Sequence, residues 1–144
     1  MKDRFKFRAW YYDKDDENDS DNNKMFYNAQ DTYDCLGGNP PLRASSFGDI
    51  IDDERWVVEQ CTGLKDKNGK LIYEGDIVEI MVWDDIEEDW IETKGKVYWS
   101  KEDAAFLIFV SFDGEYSLNS QETFYGQEIK VIGNIHENED LLEI

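Results

Sequence analysis

Two carboxylates flank a glycine at Glu74-Gly75-Asp76, the spacing in the chain that comes nearest to chemistry. Such a pair can act as general acid and base, or hold Mg²⁺, in a small hydrolase or nuclease. The competing reading is a turn, in which Gly75 supplies a positive φ and Asp76 accepts from turn amides. The turn reading is preferred, and Lys65, Lys67 and Lys70 around the hairpin could neutralise these carboxylates. Asp13, Asp15, Glu17, Asp19 and Asp21 superficially suggest a calcium loop. That loop needs Gly at its sixth position and Glu at its twelfth. Counting from Asp13 gives Asn18 and Lys24, and counting from Asp15 gives Ser20 and Phe26, so the run reads as a solvated loop. His136 is the single histidine, and Cys35 and Cys61 are the two cysteines. They carry no spacing that marks a zinc site or a Cys–His nucleophile. The expectation is a chain with no catalytic residue, no cofactor and no metal.

Positioning elements must come from a chain of 144 residues that is 40% hydrophobic and 15% aromatic. Disordered chains are poor in aromatics, so a folded protein is expected despite the charge. Thirty-four acidic residues against 15 basic ones give −19. That excess favours solubility and disfavours phosphate backbones and anionic membranes as partners. It also permits mimicry of nucleic acid, since −19 matches roughly 32 Å of duplex at about one charge per 1.7 Å. No apolar run reaches the roughly 20 residues of a membrane span, and the N-terminus lacks the apolar core of a secretory signal. Two thiols 26 residues apart suit a reducing cytoplasm.

Arg4–Trp10 alternates, with Phe5, Phe7 and Ala9 on one side and Arg4, Lys6 and Arg8 on the other, which predicts a half-buried strand. Its cations are expected to be paired internally or against a neighbouring subunit. Lys24–Tyr27 reads as a short strand pairing back on the first. Residues 28–53 resist assignment: Gly37–Pro41 must be irregular, and Asp49-Ile50-Ile51 could hold a short strand. Arg55–Cys61 is a strand bounded by Gly63. Asn68-Gly69 predicts a hairpin with a type I′ turn, Glu74-Gly75-Asp76 a second turn, and Ile77–Trp83 a strand with Val78, Ile80 and Val82 on one face. After the acidic connection 84–89 come Trp90–Thr93, Gly95–Trp99 and Ala105–Phe112, the last the most apolar run and the expected central strand. Asp113-Gly114 marks a hairpin into Glu115–Leu118, Glu128–Ile135 is a final strand, and Glu137–Leu142 has room for one helical turn.

The pattern predicts an all-β fold: N-terminal strands with an acidic loop and an irregular excursion over 1–59, then a central hairpin and a small barrel- or sandwich-like unit over 60–144. Trp83, Trp90, Tyr98 and Trp99 could form an aromatic interaction strip. A basic groove to track a phosphate backbone is missing, so nucleic acid ranks low as a ligand.

Three blocks carry a family resemblance. They are Lys6–Trp10 followed by Lys24-Met25, the long run from Gln60 to Val78, and Val131–Ile135 with Glu137-Asn138. Together they resemble the YopX family of bacteriophages and prophages of Gram-positive bacteria. His136 stands where that family often has Tyr, and the usual Pro after Asn138 is absent. The resemblance implies a small β-rich phage protein of unassigned biochemical role and brings no catalytic residue with it. Gly63, Asn68, Gly69, Tyr73, Glu74, Gly75, Asp76, Gly133 and Asn134 then read as structural. The expected function is a non-enzymatic protein-interaction module that self-associates or contacts a host or phage protein. The alternatives are a DNA-mimic inhibitor of a host DNA-binding protein and the small hydrolase using Glu74 and Asp76.

Overall fold

Phe7–Tyr11, the alternating segment near the N-terminus, forms β1 of the computed structural model. The structure describes residues 2–12, 23–31, 46–110, 114–117 and 129–142. The acidic run 13–22, the prolines, Cys35 and the Asp113 hairpin position lie outside them. The chain divides into two compact units, Met1–Cys61 and Thr62–Ile144.

In the first unit β1 is the middle strand. It pairs antiparallel with β2 (Lys24–Tyr27) on one side and with β3 (Trp56–Lys65) on the other. Ala9, Ala29, Ile50 and Trp56 make the core, with Phe7, Tyr11, Phe26, Phe47 and Val58 packed against it. Tyr11 and Phe26 meet the Trp56 ring at centroid distances of 5.0 and 5.4 Å. Phe47–Asp52 is a short helix, α1, and not a strand at Asp49–Ile51. The Ser46 hydroxyl caps it by accepting from the Asp49 amide, and Ile50 points inward while Ile51 stays exposed. A local cap and one buried side chain per turn thus override the β-branched Ile pair.

The alternation in β1 also misleads at Arg8. Its side chain is buried, and its Nε lies 2.9 Å from Glu59 Oε1, the residue directly opposite on β3. Lys6 pairs with Asp3 at 2.9 Å, and Arg4 lies over the Phe5 ring. β1 is buried on both faces, Ala9 on one and Arg8 and Trp10 on the other.

The second unit holds the end of β3, β4 (Leu71–Tyr73), and a five-stranded antiparallel sheet in the order β8-β7-β6-β5-β9. Its strands are β5 (Asp76–Asp84), β6 (Asp89–Ser100), β7 (Ala105–Val110), β8 (Gly114–Ser117) and β9 (Lys130–Asn134). Val78, Ile80 and Val82 point together into a core shared with Ile72, Val97, Ile108, Val110 and Ile129. Each such aliphatic burial is worth about 1.5–3 kcal/mol.

Two expectations change here. The centre of the sheet is β6, with the apolar β7 beside it. The segments 90–93 and 95–99 are one continuous strand, because Gly95 does not interrupt it. A Cβ there would meet Ile108 Cγ2 at 2.4 Å and the Phe109 carbonyl oxygen at 2.9 Å, so glycine is what lets β7 approach. Residues Glu139–Leu142 form a 3-10 turn. The whole is mainly β.

Candidate functional site

The run from Gln60 to Val78 is built from carboxylates and glycines that serve the backbone. Gly63, at φ +82, does not end β3 but sits inside it as an irregularity. Beside it the Thr62 hydroxyl donates to the Ile72 carbonyl at 2.8 Å and accepts from the Leu64 amide. At the hairpin, Gly69 has φ +82 while Asn68 does not adopt positive φ, so the turn is not type I′. The Gly69 amide donates to the Asp66 carbonyl, and the Asp66 amide to the Lys70 carbonyl. This is the three-residue loop closed by a left-handed glycine.

Asp66 selects that loop. Its Oδ1 accepts from the Asn68 and Lys70 amides at 2.9 Å each, and its Oδ2 from the Val131 amide of β9 at 3.0 Å. Burial by itself would raise the Asp66 carboxyl, but the amides of Val131, Lys70 and Asn68 and the Lys70 charge outweigh it. The group is held below its ordinary range. One carboxylate therefore fixes the hairpin and pins β9 beside it.

Glu74-Gly75 then turns the chain from β4 into β5, with Gly75 at φ +85. The Gly75 amide donates to the Val97 carbonyl, and its own carbonyl accepts from the Ile135 amide. Asp76 is 1% exposed and its Oδ2 accepts from the Tyr73 amide at 2.8 Å. The enclosed Asp76 carboxylate thus serves the turn between β4 and β5. At the far end Asn134 Oδ1 accepts from the His136 and Glu137 amides, and Asn138 Oδ1 from the Asn134 amide. Gly133 is packed under Asn138, whose Oδ1 lies 2.5 Å from where a Cβ would stand. Among the described residues no three His, Cys, Asp or Glu side chains gather in a way that could hold a metal ion.

The aromatic residues are where solvent meets apolar surface. The four do not form one strip. Trp83 and Trp90 are directly opposite across β5 and β6, 48% and 36% exposed, with rings edge to face at 5.6 Å. Trp99 is 43% exposed at the other end of β6. Its register partner is Phe106 on the core-facing side, and the two rings lie 4.9 Å apart. Tyr98 lies on the Trp83 side by parity, eight residues along β6 from Trp90 and half-buried. The sheet thus carries two separate aromatic pairs, one near each end of β6.

Internal pairing of the β1 cations was expected from the sequence, but the burial of Arg8 with Glu59 was not, nor were the Asp66 clamp and the Gly95 contact. Of these the Asp66 clamp carried a signal, an Asp placed immediately before Lys-Asn-Gly, where its side chain can reach the following amides.

Among solved structures, the chain is similar to protein EF1440 from Enterococcus faecalis, with 27% identity, 96% of this chain and 97% of that chain covered, and a TM-score of 0.54. No curated protein matches it. The family model described as YopX protein matches residues 6–143. With nearly its whole length so matched, the chain belongs to the YopX family.

Proposed function

We propose that this YopX-family chain is a phage or prophage accessory protein that works through protein contacts, without catalysis, as a self-associating module. The observation that carries this reading is the pair of exposed aromatic sites near the two ends of β6. Exposed rings of this size cost solvation and are enriched where proteins meet. Self-association is assigned to the Trp99–Phe106 end. There the adjoining loop holds Lys101, Glu102 and Asp103, close to neutral. At the Trp83 end six carboxylates would face their own copies, and like charges brought together are strongly unfavourable.

Light scattering across the micromolar range tests the reading. The parent chain is expected to show a mass above the monomer, and Trp99→Glu to shift it to the monomer at the same concentrations. A strict monomer throughout, or a Trp99→Glu chain that assembles unchanged, overturns it.

A further inference from the structure

We propose that the Trp83–Trp90 end of the β5–β6 hairpin docks a lysine- or arginine-rich surface of a partner protein. The inference rests on the reading that the chain works through contacts, but it uses a different surface from the self-association site. Among the described residues, the register of β5 with β9 runs to Glu79 and that of β6 with β7 begins at Lys96. Among the described residues, Ile80–Asp84 and Asp89–Thr93 are therefore registered only with each other. On one face of this ribbon stand Trp83 and Trp90, with the half-buried Met81 next along β5. At its turn Ile86 is almost wholly exposed.

An aromatic pair alone does not select its partner; the charges around it do. Between Trp83 and Glu92 there are six carboxylates and no basic side chain. Two of them are engaged at the turn: Asp84 Oδ1 accepts from the Ile86 and Glu87 amides, and Asp89 Oδ1 from the Trp90 amide. Asp85, Glu87, Glu88 and Glu92 lie exposed. This field repels nucleic acid, anionic lipid and a second copy of the same hairpin, and it attracts cations. Indole faces bind cations better than other rings, and guanidinium can stack on the ring while its N–H groups reach carboxylates. Apolar surface, indole faces and surrounding carboxylates together fit a basic protein patch.

The test is fluorescence anisotropy of the full chain with a fluorescein-labelled octa-arginine peptide as the probe. Trp83→Ser/Trp90→Ser, which leaves the charge unchanged, is expected to weaken binding about tenfold. Neutralising Asp85, Glu87, Glu88 and Glu92 to their amides is expected to do the same. Neutralising the four exposed carboxylates Asp52, Glu102, Glu139 and Asp140 instead should cost less than about threefold. Equal losses in the two neutralised sets would reduce the effect to net charge and overturn the proposal, as would an unchanged affinity in the tryptophan variant. A readout on the parent chain does not depend on any variant's folding: the indole N–H resonances of Trp83 and Trp90 should move during the titration. Movement confined to other residues overturns the proposal. A monomer in light scattering together with intact probe binding would remove self-association and leave this site standing.

Discussion

At the residue scale the informative side chain is Asp66, a carboxylate that binds three amides from two parts of the chain. Hydrogen bonds to a charged group are each worth about 1.5–3 kcal/mol, and removing the acceptor leaves the part-buried Val131 amide without it. Asp66→Ala is expected to lower the unfolding free energy at neutral pH by about 2–4 kcal/mol. The sign of its pH dependence follows from the direction of its shift. Unfolded, the group titrates near about 3.9; folded, it is depressed. Its contribution is therefore complete above about pH 5 and is lost as pH falls through the unfolded and then the folded value. Urea unfolding at neutral and acid pH checks this: the parent should lose more stability than Asp66→Ala between the two. Parallel losses would show that Asp66 carries no linkage. The Arg8–Glu59 pair is also buried, and its energetics differ. Desolvation cancels much of its attraction, so it is costly to break and adds little net stability while intact.

At the element scale the hairpins divide by how they turn. Asn68-Gly69 announced its hairpin, though Asp66 chose a turn type other than the one the dipeptide favours. The β5–β6 and β6–β7 loops announced nothing, because each ends on a left-handed residue that is not glycine, Glu88 at φ +51 and Ala104 at φ +49. Side chains at their first corners do the work: the Asp84 carboxylate in one, and the Ser100 hydroxyl, which accepts from the Asp103 amide and donates to its carboxylate, in the other. Polar residues without glycine read as exposed loop, not as a tight connection. β6 poses the reverse problem, since Gly95 looks like a break and is a packing contact. Replacing glycine by alanine in a strand commonly stabilises by about 0.4–1 kcal/mol through the unfolded chain. At Gly95 the new methyl would meet a backbone oxygen that cannot swing aside, and overpacking of this kind costs about 1–3 kcal/mol. Gly95→Ala should therefore lower the melting temperature, as differential scanning calorimetry would show. An unchanged or raised Tm would mean that β7 gives way.

At the scale of the whole molecule the dominant quantity is the −19 charge. Self-repulsion opposes the folded state and is screened by salt, with a Debye length of about 30 Å at 0.01 M and about 10 Å at 0.1 M. Raising sodium chloride across that range should raise Tm by about 2–4 °C, equivalent to about 1 kcal/mol for a chain of this size. A Tm that falls with salt would mean that pairs such as Lys6–Asp3 and Arg55–Asp53 outweigh the repulsion. The sequence by itself determined the mainly β class, the family, and the inward face Val78-Ile80-Val82. These rest on residue type and period-2 spacing, which are local and additive along the chain. Only the tertiary structure decided that Arg8 is buried, that α1 replaces a strand, that Gly95 is a contact, and that Trp99 faces away from Trp83 and Trp90. Arg8, Gly95 and Trp99 share one reason: each depends on which strand lies alongside and in what register, and a one-residue slip in pairing exchanges the two faces of a sheet. The helix α1 depends instead on its Ser46 cap and on the core that takes Ile50.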